Sequence, residues 1–238
     1  MRPFLSLAFV LCASAHGVVA ATAAEAPPPV SPARTPAQAG LTDIRALVPD
    51  IAESIHYATR DNFTGAPVDG YDAPKCFLRT AAATALAQVE ADLRAQGYRL
   101  RIWDCYRPAR AVAAFVRWAS DLSEVRTKAA HYPNLGKDKL LGEYIAPVSG
   151  HSRGATVDLT LLRCAGSICS PLDMGTDFDL FDALAHTDDP RIAPLQKANR
   201  QRLLKAMAAR GFVNYPAEWW HFSLPAAAPT TIYDVPVK

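Results

Sequence analysis

The sequence predicts an α+β domain in which a small antiparallel sheet packs against helices. Three observations predict it: alanine- and leucine-rich stretches that end on glycine, a period-two stretch, and short β-branched or aromatic runs in the C-terminal half. Thr80 to Gln96 is the first such helix, with Thr80 as N-cap and Gly97 as its stop. Tyr98 to Trp103 alternates like a strand, which places Arg107 just past its exit. Pro108 can open a second helix through Trp118, and Pro194 to Arg210 forms another that ends at Gly211. Strands are expected near residues 155–162, 212–215 and 219–224.

The 238 residues, half of them hydrophobic, supply one ordinary core. Met1-Arg-Pro followed by the apolar run Phe4 to Ser14 and the small residues up to Ala23 has the order of a secretory signal over residues 1–23, cleaved after Ala20 or Ala23. That run is too short to span a membrane. Residues 24–40 are rich in proline and alanine and read as an extended tether. The remaining residues, 41–238, form a single domain that acts in the periplasm or outside the cell. A formal net charge of +2 with no basic patch excludes a nucleic-acid partner.

Removing Cys12 with the signal leaves Cys76, Cys105, Cys164 and Cys169, an even number for an oxidising compartment. Four cysteines allow three pairings. The pair Cys164 with Cys169 is the most local and would leave Cys76 with Cys105.

Two segments carry the chemistry: Ser149-Gly-His-Ser-Arg-Gly-Ala-Thr-Val-Asp158 and Glu218-Trp-Trp-His221. Hydrolytic zinc is held by three ligands drawn from His, Asp and Glu, with a further position open to water. His151, Asp158 and His221 fill that shell. Glu218 is then the base that takes the proton of the attacking water without binding the metal. Neither pair can converge from a straight strand, because residues an odd number apart point to opposite faces. Gly150 and Gly154 let the chain bend around His151, and Pro216 places Glu218 in a loop before a strand. Trp219 and Trp220 are expected as core and pocket wall, Arg107 as a partner for Asp104 or for the site, and His56, His131 and His186 as ordinary hydrogen-bonded histidines.

At these motifs the chain resembles the zinc D,D-peptidases, whose fold is shared with hedgehog-type zinc domains. It is most similar to the D-alanyl-D-alanine dipeptidases of the VanX type in the M15 peptidase group. The resemblance runs from Tyr57-Ala-Thr-Arg-Asp-Asn-Phe-Thr-Gly65 through Trp103-Asp-Cys-Tyr-Arg-Pro108, His151-Ser-Arg-Gly154, Met174-Gly-Thr-Asp-Phe-Asp179 and Glu218-Trp-Trp-His221 to Tyr233-Asp-Val-Pro-Val-Lys238. It implies a sheet-borne site for one zinc ion per chain in residues 41–238, with His151, Asp158 and His221 as ligands and Glu218 as catalytic base. It further implies that Arg107 stabilises the oxyanion, and that Tyr57, Ser149 and Asp179 touch the substrate. Cys105 stands where the family's segment usually has glycine.

The implied substrate is the dipeptide D-Ala-D-Ala, from cell-wall metabolism or glycopeptide tolerance. A zwitterionic dipeptide needs an acid for its ammonium, which Asp179 supplies. A permanently charged, forked guanidinium such as Arg107 suits a developing oxyanion. The alternatives are a D,D-carboxypeptidase acting on longer stem peptides and a zinc-containing peptide-binding protein without turnover. Serine D,D-peptidase chemistry is poorly supported, since the chain has no Ser-x-x-Lys.

Overall fold

The computed structural model of the protein describes residues 26–238, so the signal segment lies outside the described residues. In chain order the elements are β1 (Leu41–Asp43), β2 (Ala52–Glu53), β3 (Phe77–Arg79), α1 (Thr80–Arg94), β4 (Tyr98–Asp104), α2 (Ala109–Ser120), α3 (Lys128–His131), β5 (Thr156–Ala165), β6 (Ile168–Pro171), α4 (Pro194–Ala208), β7 (Val213–Asn214) and β8 (His221–Ser223). The fold class is α+β as expected, but the main sheet is mixed. Its order is β2-β4-β5-β8-β7, with β6 also on β5, and the β2–β4 pair is parallel. A separate antiparallel pair, β1 with β3, was not foreseen either. Both surprises involve strands of two or three residues, too short to carry a period.

The predicted helices are present with shifted ends. Thr80 lies inside α1 rather than capping it, because Arg79 takes the cap position and the Thr80 hydroxyl meets that of Thr42 at 2.9 Å. Ala82, Ala83, Leu86, Val89 and Leu93 form the buried stripe of α1. Gly97 follows with φ +76°, a conformation that favours glycine, and ends it. Pro108 caps α2 instead of opening it, and α4 stops at Ala208, just short of Gly211.

Side-chain alternation decides which face of the sheet does what. Leu100 and Ile102 of β4 sit opposite Leu161 and Leu159 of β5, and all four are fully buried. With Val157 they form the face packed under α1 and α4. Each such side chain contributes roughly 1.5–3 kcal/mol by leaving water. The same alternation would put Asp104 among these leucines. A bulge between Ile102 and Asp104 prevents it, turning Asp104 to the other face, opposite Asp158.

Trp219 and Trp220 are both buried in the core, in a turn ahead of β8, so the last strand is shorter than predicted. The extended proline-rich segment does not hang free throughout: Val30 bridges Ile232, and Ser31 N–H donates to the Ile232 carbonyl at 2.8 Å. Two disulfides are present, Cys76–Cys105 and Cys164–Cys169. Among the described residues no helix is long and apolar enough to cross a membrane.

Candidate active site

Strand register assembles the centre of the site. Asp104, Asp158 and His221 are direct neighbours across β4, β5 and β8, one residue from each strand. His151 arrives from a 3-10 turn, Gly150–Arg153, immediately before β5. The Ser149 hydroxyl accepts the His151 N–H at 3.2 Å at the start of that turn, and Gly154 closes it with φ +74°. A Cβ at Gly154 would also lie 2.7 Å from Leu41, so only glycine lets the chain turn back into β5 here. This is the bend that the odd spacing of His151 and Asp158 demands.

The second odd spacing is met by a tight turn. The His221 N–H donates to the Glu218 carbonyl at 3.2 Å, and Tyr215 N–H donates to the His221 carbonyl at 2.9 Å. Asn214 clamps the turn, its amide donating to the carbonyls of Glu218 and His221, both at 3.0 Å. The Glu218 carboxylate therefore lies 3.3 Å from His221 Nδ1.

His151, Asp158 and His221 bring one donor atom each to within 4.8 Å of one another. His151 Nδ1 donates to the Cys105 carbonyl at 2.7 Å. That fixes the tautomer and leaves the Nε2 lone pair facing Asp158 Oδ2 and His221 Nδ1, each 3.3 Å away. Asp158 Oδ1 is buried without a well-aligned hydrogen bond, although His221 Nδ1 is 3.1 Å off. A bare lone pair and an unsatisfied buried carboxylate oxygen beside a second imidazole are a donor set that could hold a divalent cation.

The electrostatics point the same way. Burial works against a charge on His221, yet Asp158 and Glu218 outweigh it and raise the imidazole to about 10. Burial likewise opposes charge on Asp158, but the two imidazoles hold its carboxyl well below the usual range.

The other predicted residues line the same pocket of about 340 Å³. Arg107 donates to Asp104 Oδ2 through Nε (3.0 Å) and Nη2 (2.8 Å), while Nη2 stands 3.7 Å from Asp158. Pairing with Asp104 holds the guanidinium at the wall of the pocket. The adjacent rings of Tyr57 and Phe115, 4.9 Å apart, both lie on one side of it, at 5.0 and 4.9 Å. At the far end, Tyr57 hydroxyl donates to Asp179 at 2.8 Å. Asp179 is 5% exposed and has φ +57°, the one positive value outside glycine among the described residues. Burial first, then the charge of Asp158, raises its carboxyl well above the usual range, with Tyr57 and Arg107 offsetting part of that.

Trp219 and Trp220 do not reach this pocket. Of the supporting residues, sequence reasoning missed Tyr71 and Asn214, and it saw Asp104 only as a possible partner of Arg107 and His131 only as an ordinary hydrogen-bonded histidine. Asp104 anchors Arg107 and accepts from the Tyr71 hydroxyl at 2.6 Å, Asn214 holds the Glu218 turn, and His131 Nδ1 meets the Asp179 carbonyl at 3.1 Å. Only Asp104 had a signal, its place within Trp103-Asp-Cys-Tyr-Arg-Pro108.

Fold and site together define a hydrolase-like α+β domain whose small pocket is lined by a His/Asp/His group that could hold a metal ion. The family model for the D-Ala-D-Ala dipeptidases of peptidase group M15 matches residues 37–238. A D-alanyl-D-alanine dipeptidase from Streptomyces coelicolor is 43% identical over 194 residues, 80% of this chain and 95% of the relative. One from Enterococcus faecium is 38% identical over 201 residues, 84% and 98% of the two chains. One from Escherichia coli is 36% identical over 188 residues, 79% and 86%. The chain belongs to this M15 family and is a peptidase.

Proposed function

We propose that this peptidase hydrolyses D-Ala-D-Ala, using one zinc ion held by His151, Asp158 and His221. The observation that carries the reading is the pocket itself: one small cavity is lined by the His151, Asp158 and His221 donor set, by Glu218 and Arg107, and by the buried acid Asp179. Zinc, when bound there, brings a water towards neutral acidity and polarises a carbonyl. Glu218, beside His221 and not needed as a ligand, accepts the water's proton and later returns it to the leaving amine. Arg107 donates to the oxygen that gains charge, its position set by Asp104. Asp179, supported by Tyr57, takes the substrate's ammonium, and the arriving cation draws the raised carboxyl into its charged form. Ser149, at the pocket wall, is a further substrate contact.

The segments 1–23, 24–40 and 41–238 are proposed as signal, tether and catalytic domain of a periplasmic or secreted protein. Paired cysteines support an oxidising compartment.

The deciding assay compares D-Ala-D-Ala with its N-acetyl derivative and with a longer peptide ending in D-Ala-D-Ala. Blocking the ammonium removes a charge-assisted hydrogen bond worth about 1.5–3 kcal/mol, so the free dipeptide should be cleaved at least about tenfold faster. Equal cleavage of all three would transfer the protein to the carboxypeptidase reading.

A further inference from the structure

We propose that the Cys76–Cys105 disulfide positions the metal site, holding in place the single peptide unit on which His151 leans. The inference rests on reading His151, Asp158 and His221 as metal ligands. The carbonyl of Cys105 accepts from His151 Nδ1 at 2.7 Å, and the N–H of the same peptide unit, on Tyr106, donates to the Phe77 carbonyl at 2.9 Å. Carbonyl and N–H of a trans peptide point in opposite directions. The unit thus forms a rigid spacer between β3 and the histidine. Its one hydrogen bond to β3 is doubled by a covalent bond from the residue before Phe77 to the residue that carries the carbonyl.

Rotation of this peptide would break both contacts at once and release His151 to turn its ring or switch its tautomer. The ring's other nitrogen would then lose its aim at Asp158 and His221. Arg107 is tied to the same loop, since its N–H donates to the His151 carbonyl at 3.3 Å. Both sulfur-bearing residues are buried, 0% and 1% exposed, so the bridge sits under the site and not at the surface. The second bridge offers a built-in control. Cys164 and Cys169 lie opposite one another in the β5–β6 hairpin and do not line the pocket.

The test measures affinity for Zn2+ and Co2+ alone, by competition with a chromophoric chelator, alongside the cobalt spectrum and far-UV circular dichroism. Cys76→Ala/Cys105→Ala should weaken metal binding by about ten- to a hundredfold, the range seen when support of a ligating histidine is lost, and should alter the cobalt bands while the folded signal remains. Cys164→Ala/Cys169→Ala should leave the affinity unchanged. If the first variant does not fold, the second provides a protein with one bridge left. A phosphine should then weaken metal binding, and reoxidation should restore it. Unchanged affinity without Cys76–Cys105, or metal loss that occurs only together with unfolding, overturns the proposal alone. Failure of the unaltered protein to bind either ion overturns the metal reading beneath it.

Discussion

The two ends of the pocket are built by opposite means. At the cation end, Asp158 and His221 stand directly opposite one another on adjacent strands, and His151 enters from a turn just before β5. At the other end, Asp179 sits in a loop with left-handed backbone, tied by the Tyr57 hydroxyl and by His131. A sheet fixes Asp158 and His221 through its ladder, and only His151 leans on a contact from outside it, the Cys105 carbonyl. The loop end depends on individual side chains, and it stores an acid in surroundings that disfavour its charge.

The largest expected effects lie at the cation end. His151→Ala, Asp158→Ala or His221→Ala should each strip the metal, checked by zinc content, and abolish turnover with it. Glu218→Gln should separate the two properties: full zinc content with turnover reduced by about 10²- to 10⁴-fold, the usual contribution of a general base. Zinc loss in Glu218→Gln matching that of His221→Ala would make Glu218 a ligand and dissolve the distinction.

Effects at the loop end should be smaller and selective. Asp179→Asn should leave zinc content intact and lower kcat/KM for D-Ala-D-Ala by roughly ten- to a hundredfold, from loss of a charge-assisted contact of about 1.5–3 kcal/mol. The N-acetyl dipeptide should be nearly unaffected by the change, so the gap between the two substrates narrows. A uniform loss on both substrates would place Asp179 in maintaining the pocket and not in choosing the substrate.

The same contrast explains what the sequence could disclose. His151, Asp158, His221 and Glu218 were legible because two short motifs hold the whole donor set, and their odd spacings demanded a bend and a turn that the fold supplies. α1, β4 and α4 were legible from period and glycine stops. Asp104 was legible only as a partner for Arg107, because its role depends on a bulge that reverses a strand's parity, and such a slip leaves no mark in composition. Asn214 and His131 act through backbone carbonyls distant in sequence, which no local pattern encodes. The parallel β2 edge and the β1–β3 pair escaped notice because two or three residues cannot display alternation.

The smallest predicted effect is the one in which the two ends should differ in sign. Asp158 is held in its charged form by the imidazoles beside it, whereas the carboxyl of Asp179 is raised by burial and by the charge of Asp158. A carboxyl whose folded pKa exceeds its unfolded value, near 3.9, leaves the native state holding more protons than the unfolded chain. Native stability then falls as pH rises from about 4 through the raised pKa. Asparagine has no such proton, its amide oxygen can still accept from Tyr57, and it tolerates the positive φ at this position better than most residues. Metal-free Asp179→Asn should therefore melt higher than the unaltered metal-free protein at neutral pH, with the gap closing as pH falls towards 4. A gain on the order of 1 kcal/mol corresponds to about 2–4 °C for a domain of this size. A thermal scan of both proteins between pH 4 and 8 decides it: a variant that melts lower at neutral pH would mean that Asp179 holds the loop together. The acid would then be part of the fold as well as of the pocket.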